Sequence, residues 1–355
     1  MRFSLESLTT VAGAHTYTQD ELADALRAEL KGLPDGGQMA QMVGFVYGRS
    51  GIRARHLEVP PDEARSRPDW YQLVNEATFT LACRAIDTLL NRGHTVDEFD
   101  GMILVSASHS GFPGLGRRLQ DRYKIAPDAV CYDIAATGCG GPPQGLGLGQ
   151  ALLEQGRCER LLIVCVDVMG THGAAREHQA VPSIAQLVAH CLASDGAAAL
   201  VMSSAPGPQA FLTYERGAMV TRLWPGSLDL NDFTADEENQ PYISVGKDIR
   251  TRLLDELGGM LAVAEGPVLM HPGGAALMRI LTEHFPERRA ELDLALSILE
   301  DNGNMGAPSA LWVLRRALER GLEIDGEAQL FALGPGIVST LYRFEGAKSH
   351  GIAHA

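Results

Sequence analysis

Ala135-Ala136-Thr137-Gly138-Cys139-Gly140-Gly141-Pro142-Pro143 is the stretch on which the reading of this 355-residue chain turns. Before it, Ala129 to Ile134 (AVCYDI) has the length and composition of a buried strand, and after it Gln144 to Gln155 repeats its apolar residues at helical spacing. A strand that runs into a small-residue turn and opens a helix is the unit of an α/β fold. Proline is favoured in the first turn of a helix, where its missing N–H is not needed, so the helix is expected to begin around Pro142. A cysteine at that start faces unpaired amides and the positive end of the helix dipole, which favour a thiolate and could hold an oxyanion. Read alone, Cys139 is one of six small buried hydrophobes. The glycines on both sides open space around its sulfur.

The same alternation extends outward from this turn. Strand-like runs fall at Gly101 to Ser106, Arg160 to Asp167 (RLLIVCVD), Ala197 to Ser203, Val268 to His271 and Gln329 to Leu333. Helical periodicity marks Glu76 to Arg92, Gly246 to Ala264, Ala275 to His284 and Ala307 to Arg320. Nearly continuous apolar strands separated by helices predict an α/β fold whose sheet is covered on both faces. The composition shifts at Ser203 to Gly217, which carries two prolines, and the boundary between two halves, 1–205 and 206–355, is placed there. Each half holds one strand–turn–helix unit, Cys131 to Gln150 and Val268 to Met278, as a duplicated fold would.

Composition narrows the function. The chain has 30 Lys plus Arg against 44 Asp plus Glu, a formal charge of −14, and no cluster of five basic residues. That argues against nucleic acid or anionic membrane surfaces as partners. No apolar run approaches the ~18 to 20 residues of a membrane span, and Met1 to Ala14 breaks its apolar residues with Ser4, Glu6, Ser7 and Thr9, unlike a signal peptide. A reducing cytoplasm with free thiols is therefore expected.

Two further residues stand where chemistry could be held by rigid backbone. His271 ends the strand Val268-Leu269-Met270 and precedes Pro272-Gly273-Gly274. Asn304 lies in Asn302-Gly303-Asn304-Met305-Gly306, just before a helix. Taken singly, the first is a hydrogen-bonded core histidine and the second a cap or turn residue. Gly145-Leu146-Gly147-Leu148-Gly149 lies inside a helix and lacks the rest of a phosphate loop, so close helix packing explains it. His172, Glu177 and His178 are near one another but not at ligand spacing on a helix, and no metal site is expected.

Together, the Gly-flanked Cys139, His271-Pro272-Gly273-Gly274 and Gly303-Asn304-Met305 resemble the thiolase-fold condensing enzymes. The resemblance is closest to type III polyketide synthases of the chalcone synthase kind, with features of the initiating, class III ketoacyl-carrier-protein synthases. Ser194-Asp195-Gly196-Ala197-Ala198-Ala199 matches the family's G-D-G-A-A-A strand entry, and Gly334-Pro335-Gly336 its C-terminal loop. Ser50-Gly51-Ile52-Arg53-Ala54-Arg55-His56 is similar to a stretch of the initiating synthases. The likeness spans roughly residues 45 to 345.

The resemblance implies a duplicated, five-layered αβαβα fold, a homodimer of such chains, and an acyl-transferring ketosynthase of secondary metabolism, such as antibiotic biosynthesis. Cys139 would take an acyl group from a CoA or acyl-carrier-protein thioester. His271 would help form the thiolate and, with Asn304, donate hydrogen bonds to the thioester oxygen of a malonyl-type extender. Arg49 and Arg53 match positions near the CoA or pantetheine phosphates, although a solvated basic pair reads the same way. Phe112, in Ser110-Gly111-Phe112-Pro113-Gly114, matches a residue that reaches into the partner's pocket. No cofactor is implied beyond the phosphopantetheine arm of the substrates. An acidic carrier protein would need a basic patch such as Arg49, Arg53, Arg117 and Arg118.

The departures carry information too. Ala193 stands where plant-type enzymes carry a bulky phenylalanine, Ile249 at a second phenylalanine gate, Gly306 at a serine and His172 at a threonine of the elongation cavity. The resemblance then implies a widened pocket for long or bulky acyl chains and one or few condensations, including the joining of two β-ketoacyl chains and closure of a pyrone. Two other readings keep the fold but change the chemistry: acyl transfer to an alcohol or amine through the same cysteine, and a non-catalytic ketosynthase-like partner subunit. Intact Asn304 speaks against the first, because a transfer that forms no carbanion has no need of it, and retention of Cys139, His271 and Asn304 speaks against the second.

Overall fold

A computed structural model of the chain describes residues 2–174, 181–228, 231–235, 241–245, 254, 257–262 and 264–351. In chain order the strands are β1 (Phe3–Ala12), β2 (His15–Thr18), β3 (Ala54–Leu57), β4 (Gly101–Ser106), β5 (Val130–Ala135), β6 (Arg160–Val168), β7 (Asp195–Ser203), β8 (Ala210–Tyr214), β9 (Arg216–Leu223), β10 (Asn231–Ala235), β11 (Pro241–Val245), β12 (Val268–Met270), β13 (Asp325–Gly334) and β14 (Val338–Ser349). One ten-stranded sheet runs in the order β12-β13-β14-β8-β1-β7-β6-β4-β5, with β9 also paired to β14. β2 pairs with β3, and β10 with β11.

The central strands explain why the sheet is covered on both faces. β6 and β7 are buried along almost their whole length. Successive side chains of a strand point to opposite faces. Leu161, Ile163 and Cys165 accordingly join one core with Leu146, Leu152 and Leu153 of the helix Gly141–Glu154. Leu162, Val164 and Val166 join another with Ala77, Leu81, Ile86 and Leu89 of the helix Trp70–Leu90. Each such apolar side chain contributes ~1.5 to 3 kcal/mol on burial, so two cores back to back hold the strands rigidly.

The expected strands and helices are present, with shifted ends. The helix expected at Glu76 to Arg92 starts at Trp70, the one expected at Ala307 to Arg320 spans Ser309–Glu319, and Ala275–His284 has the expected bounds. The helix expected at Gly246 to Ala264 lies mostly outside the described residues; residues 257–262 are helical. No helix among the described residues is long and apolar enough to cross a membrane.

The largest addition to the sequence reading is β1, which sits at the middle of the sheet between β7 and β8. Its polar residues are buried rather than solvated. Glu6 accepts hydrogen bonds from Ser4 Oγ and the Gly207 amide, both at 2.8 Å, and pairs with Arg160 Nη2 at 2.6 Å. Thr9 Oγ1 donates to the Ala85 and Ala199 carbonyls at 3.2 Å. Two further helices, Gln19–Gly32 and Gly36–Arg49, pack over one end of the molecule; Thr18 and Glu21 close a capping box at the start of the first.

Arg160 is the counter-charge of a fully buried carboxylate, so its loss should be costly. Arg160→Ala is expected to lower the unfolding free energy by about 3 to 5 kcal/mol in urea titration, because it strands Glu6 without its cation. A loss below about 1 kcal/mol would contradict this account of the pair.

Candidate active site

Two glycine-rich turns meet beside Cys139. β5 ends at Ala135, a short 3-10 turn covers Gly138–Gly140, and the helix Gly141–Glu154 follows with both prolines in its first turn. Gly138 has φ +50°, and a Cβ there would stand 2.6 Å from Pro335 Cδ. A Cβ on Gly140 would fall 2.8 Å from Thr340 Oγ1, and one on Gly141 2.2 Å from Val105 Cγ1. From the other side, a Cβ on Gly334 would stand 2.7 Å from the Thr137 carbonyl oxygen. Gly138, Gly140 and Gly334 are thus required by the close approach of the Gly334-Pro335-Gly336 loop, which leaves β13 for β14, to the cysteine turn, and Gly141 by Val105 of β4.

His271 and Asn304 arrive from the C-terminal half. The His271 amide donates to the Phe331 carbonyl at 2.8 Å, extending the β12–β13 pairing. The Gly273 amide donates to His271 Nδ1 at 3.1 Å. An Nδ1 that accepts leaves the proton of the neutral ring on Nε2, which lies 3.3 Å from Asn304 Oδ1. Asn304 is held by its own backbone and side chain. Its amide donates to the Leu192 carbonyl at 2.7 Å, and its carbonyl accepts from Ser194 at 2.8 Å. Its Nδ2 donates to the Gly273 carbonyl at 3.1 Å, and its Oδ1 accepts from the Gly306 amide at 2.9 Å. Those two backbone partners fix which way the amide group points. Cys139 Sγ then donates to Asn304 Oδ1 at 4.0 Å.

Electrostatics corrects one expectation. Burial pushes the Cys139 thiol up to about 12, with the Asp167 carboxylate adding to the rise and the cysteine's own amide opposing it. The helix start was expected to favour a thiolate; burial outweighs it, and the resting group is a thiol. Burial likewise lowers His271 to about 4, against the opposing hydrogen bond from Asn304, so the ring is neutral at physiological pH.

The remaining expected residues are spread around this centre. Ala193 forms an isolated parallel bridge with Asn304 and is buried beside it. Gly306 has φ +72°, where a Cβ would come within 2.5 Å of Asp167 Oδ2, so a side chain at that position is excluded by close contact. His172 is on the short helix Met169–Ala174, its side chain outside the described residues, and Ile249 lies outside them altogether. Arg49 is exposed and stacks on Phe45, with its guanidinium carbon 3.8 Å from the ring centroid. Arg53 is committed to an ion pair with Asp301, and Arg118 to Glu76 at 2.8 Å while lying over Phe79. Phe112 is 98% exposed. Asp167 was passed over in the sequence, although an acid at the end of an otherwise apolar strand was a visible signal.

With this geometry in view, comparison with known proteins is decisive. The model of the chalcone and stilbene synthases, N-terminal domain, matches residues 24–206. The chain belongs to the chalcone and stilbene synthase family. A curated relative, 1,3,6,8-tetrahydroxynaphthalene synthase of Streptomyces peucetius subsp. caesius, is 24% identical over 349 residues, covering 94% of this chain and 90% of the relative. The structure of germicidin synthase from Streptomyces coelicolor, a type III polyketide synthase, superposes with a TM-score of 0.82 at 19% identity, covering 97% of this chain and 99% of that one. CsyB complexed with CoA-SH gives a TM-score of 0.81 at 20% identity, covering 97% of this chain and all of that one. The thiolase-like α/β fold expected from the sequence is the observed one, and the protein is an acyl-transferring condensing enzyme of the polyketide synthase kind.

The buried thiol has a direct consequence in solution. Alkylation of Cys139 by iodoacetamide, followed by peptide mass spectrometry, should still be accelerating above pH 10, because the reactive thiolate is scarce below about 12. A rate that levels off near pH 8 would contradict the burial argument.

Proposed function

We propose that Cys139 is the acyl-carrying nucleophile and that Asn304 and His271 serve the condensation that follows. The observation that carries this reading is the convergence on one oxygen: Asn304 Oδ1 is 4.0 Å from Cys139 Sγ and 3.3 Å from His271 Nε2. The cysteine sulfur attacks the donor thioester carbonyl, and the backbone amide of Cys139 at the helix start receives the oxyanion. The donor's C–S bond breaks, and the departing CoA or pantetheine sulfur carries away the thiol proton. A malonyl-type extender then loses carbon dioxide. The electron pair of the broken C–C bond is held as an enolate whose oxygen takes the Nε2 proton of His271 as a hydrogen bond in place of Asn304 Oδ1, together with the Nδ2 hydrogen of Asn304 that Gly273 does not use. Its carbon attacks the acyl carbonyl on Cys139, the C–S bond to Cys139 breaks, and the sulfur leaves and is reprotonated while the lengthened β-ketoacyl chain stays on the extender's thioester. The Gly273 amide on Nδ1 supports the donor role of His271 over the base role that the sequence also suggested.

Ala193, small and beside Asn304, supports long or bulky acyl substrates. With no bulk at that position, one or few condensations of large chains, including the joining of two β-ketoacyl chains with closure of a pyrone, fit better than repeated extension of a planar starter; the space beside Gly306 is taken by Asp167. Of the four arginines of the expected basic patch, Arg53 and Arg118 are paired with Asp301 and Glu76, which leaves Arg49 and Arg117, the latter hydrogen-bonded to Gln120, for a CoA or carrier-protein phosphate. No cofactor is needed for these steps beyond the substrates' own pantetheine thioesters. The halves 1–205 and 206–355 would each supply part of the centre, in a cytoplasmic homodimer joined along the outer edge of β5. Tyr132 on that strand is 47% exposed and Phe112 beside it 98%.

Intact-mass measurement tests the reading. Wild type incubated with long-chain acyl-CoA should gain one acyl mass, and Cys139→Ala none. Asn304→Ala should keep the acyl adduct while losing about 100-fold or more of its condensation rate with malonyl-CoA. Unchanged condensation in Asn304→Ala would overturn its assigned role, and ester or amide products in place of carbon–carbon products would favour transfer to an alcohol or amine.

A further inference from the structure

Near the end of β6, facing the site from the N-terminal half, lies a buried carboxylate that the steps above do not use. Asp167 Oδ1 accepts from the amides of Ala107 at 2.7 Å and Ser108 at 2.9 Å, with Ser106 Oγ at 3.4 Å. Its Oδ2 accepts from the Ala307 amide at 2.8 Å. The three amides can only donate, so they favour the ionised carboxylate and oppose the burial that raises its pKa. Ala307 follows Gly306, and the Gly306 amide is the one that holds Asn304 Oδ1. The two ends of the Asp167 carboxylate therefore bridge the loop after β4 in the first half and the Asn304 turn in the second.

We propose that Asp167 is a positioning residue for condensation: its carboxylate ties the turn Asn304–Ala307 to the loop after β4, so that the Asn304 side chain is presented to the acyl group on Cys139. This rests on the roles given to Cys139 and Asn304 above. Acylation needs Cys139 and its own amide, whereas condensation needs Asn304, so loss of the tether should separate the two steps. The tether also explains Gly306, since a Cβ there would press on Asp167 Oδ2 at 2.5 Å. Its charge has a second effect that can be read independently. Among the described residues the titratable groups around Asp167 are Cys139 and, on its own strand, Cys165, with His271 beyond Asn304. Asp167 raises both thiols, so neutralising it should ease ionisation of Cys139.

Asp167→Asn keeps the shape, removes the charge and turns one acceptor into a donor. It should be acylated by dodecanoyl-CoA to the same extent as wild type, yet form product with malonyl-CoA about tenfold or more slowly per acylated enzyme. The pH midpoint for alkylation of its Cys139 by iodoacetamide should fall by about one unit or more. Gly306→Ala, which displaces the carboxylate but keeps its charge, should show the same split between acylation and condensation with the alkylation midpoint unmoved, and it covers the case in which Asp167→Asn fails to fold. An equal loss of both steps in these variants, or no loss in either, would overturn the proposal, as would an unmoved alkylation midpoint in folded Asp167→Asn. Failure of wild type to be acylated would instead overturn the role of Cys139; the alkylation measurement needs no substrate and still decides Asp167.

Discussion

The closeness of two backbone turns is the constraint on which the rest of the site depends. The 3-10 turn Gly138–Gly140 and the Gly334-Pro335-Gly336 loop occupy space that a single methyl group on either would fill. Because β13 leads into that loop and is paired to β12, the position of His271 at the end of β12 is set by the same contact. Asn304 is in turn anchored to the strand entry Ala193–Ser194, just before β7. Cys139, His271 and Asn304 are thus placed by main chain, and side-chain rotamers add little freedom. Such pre-organisation is what electrostatic stabilisation of an enolate or oxyanion requires, since donors must already point where charge develops.

Two influences compete at the cysteine. A helix start offers amides and a dipole, worth ~0.3 to 1 kcal/mol on an exposed anion. Removal from water together with a neighbouring carboxylate is the larger effect here and holds the sulfur protonated. A neutral thiol and a neutral imidazole side by side describe an enzyme at rest that is protected from indiscriminate alkylation and oxidation, since the thiolate is the reactive species.

Much of the fold was legible because its central strands are unbroken apolar runs. β4, β6 and β7 could be read from composition alone, as could the helix Ala275–His284 from its period. Cys139, His271 and Asn304 were legible through the small residues around them, whose purpose, close backbone approach, is the same in sequence and in space. β1 was not legible, because Glu6 and Thr9 look like surface residues until their partners, Arg160 and the Ala85 and Ala199 carbonyls, are known. The state of the Cys139 thiol was misjudged for the same reason. Its local setting favours the anion, and the opposing burial and Asp167 come from segments far along the chain. Arg53 read as a free cation because Asp301, its partner, lies in the other half.

The place of β1 also bears on how the protein is made. Its register puts Ser4 against Ser203 and Phe3 against Tyr214, so a strand near one end of the chain pairs only with segments far downstream. At ~5 to 20 residues per second, a ribosome needs roughly ten to forty seconds between releasing the strand and completing its neighbours. Throughout that interval the edge amides of β1 stay open to water, to chaperones or to other nascent chains. The sheet that positions Cys139, His271 and Asn304 therefore closes only after β7 and β8 have emerged.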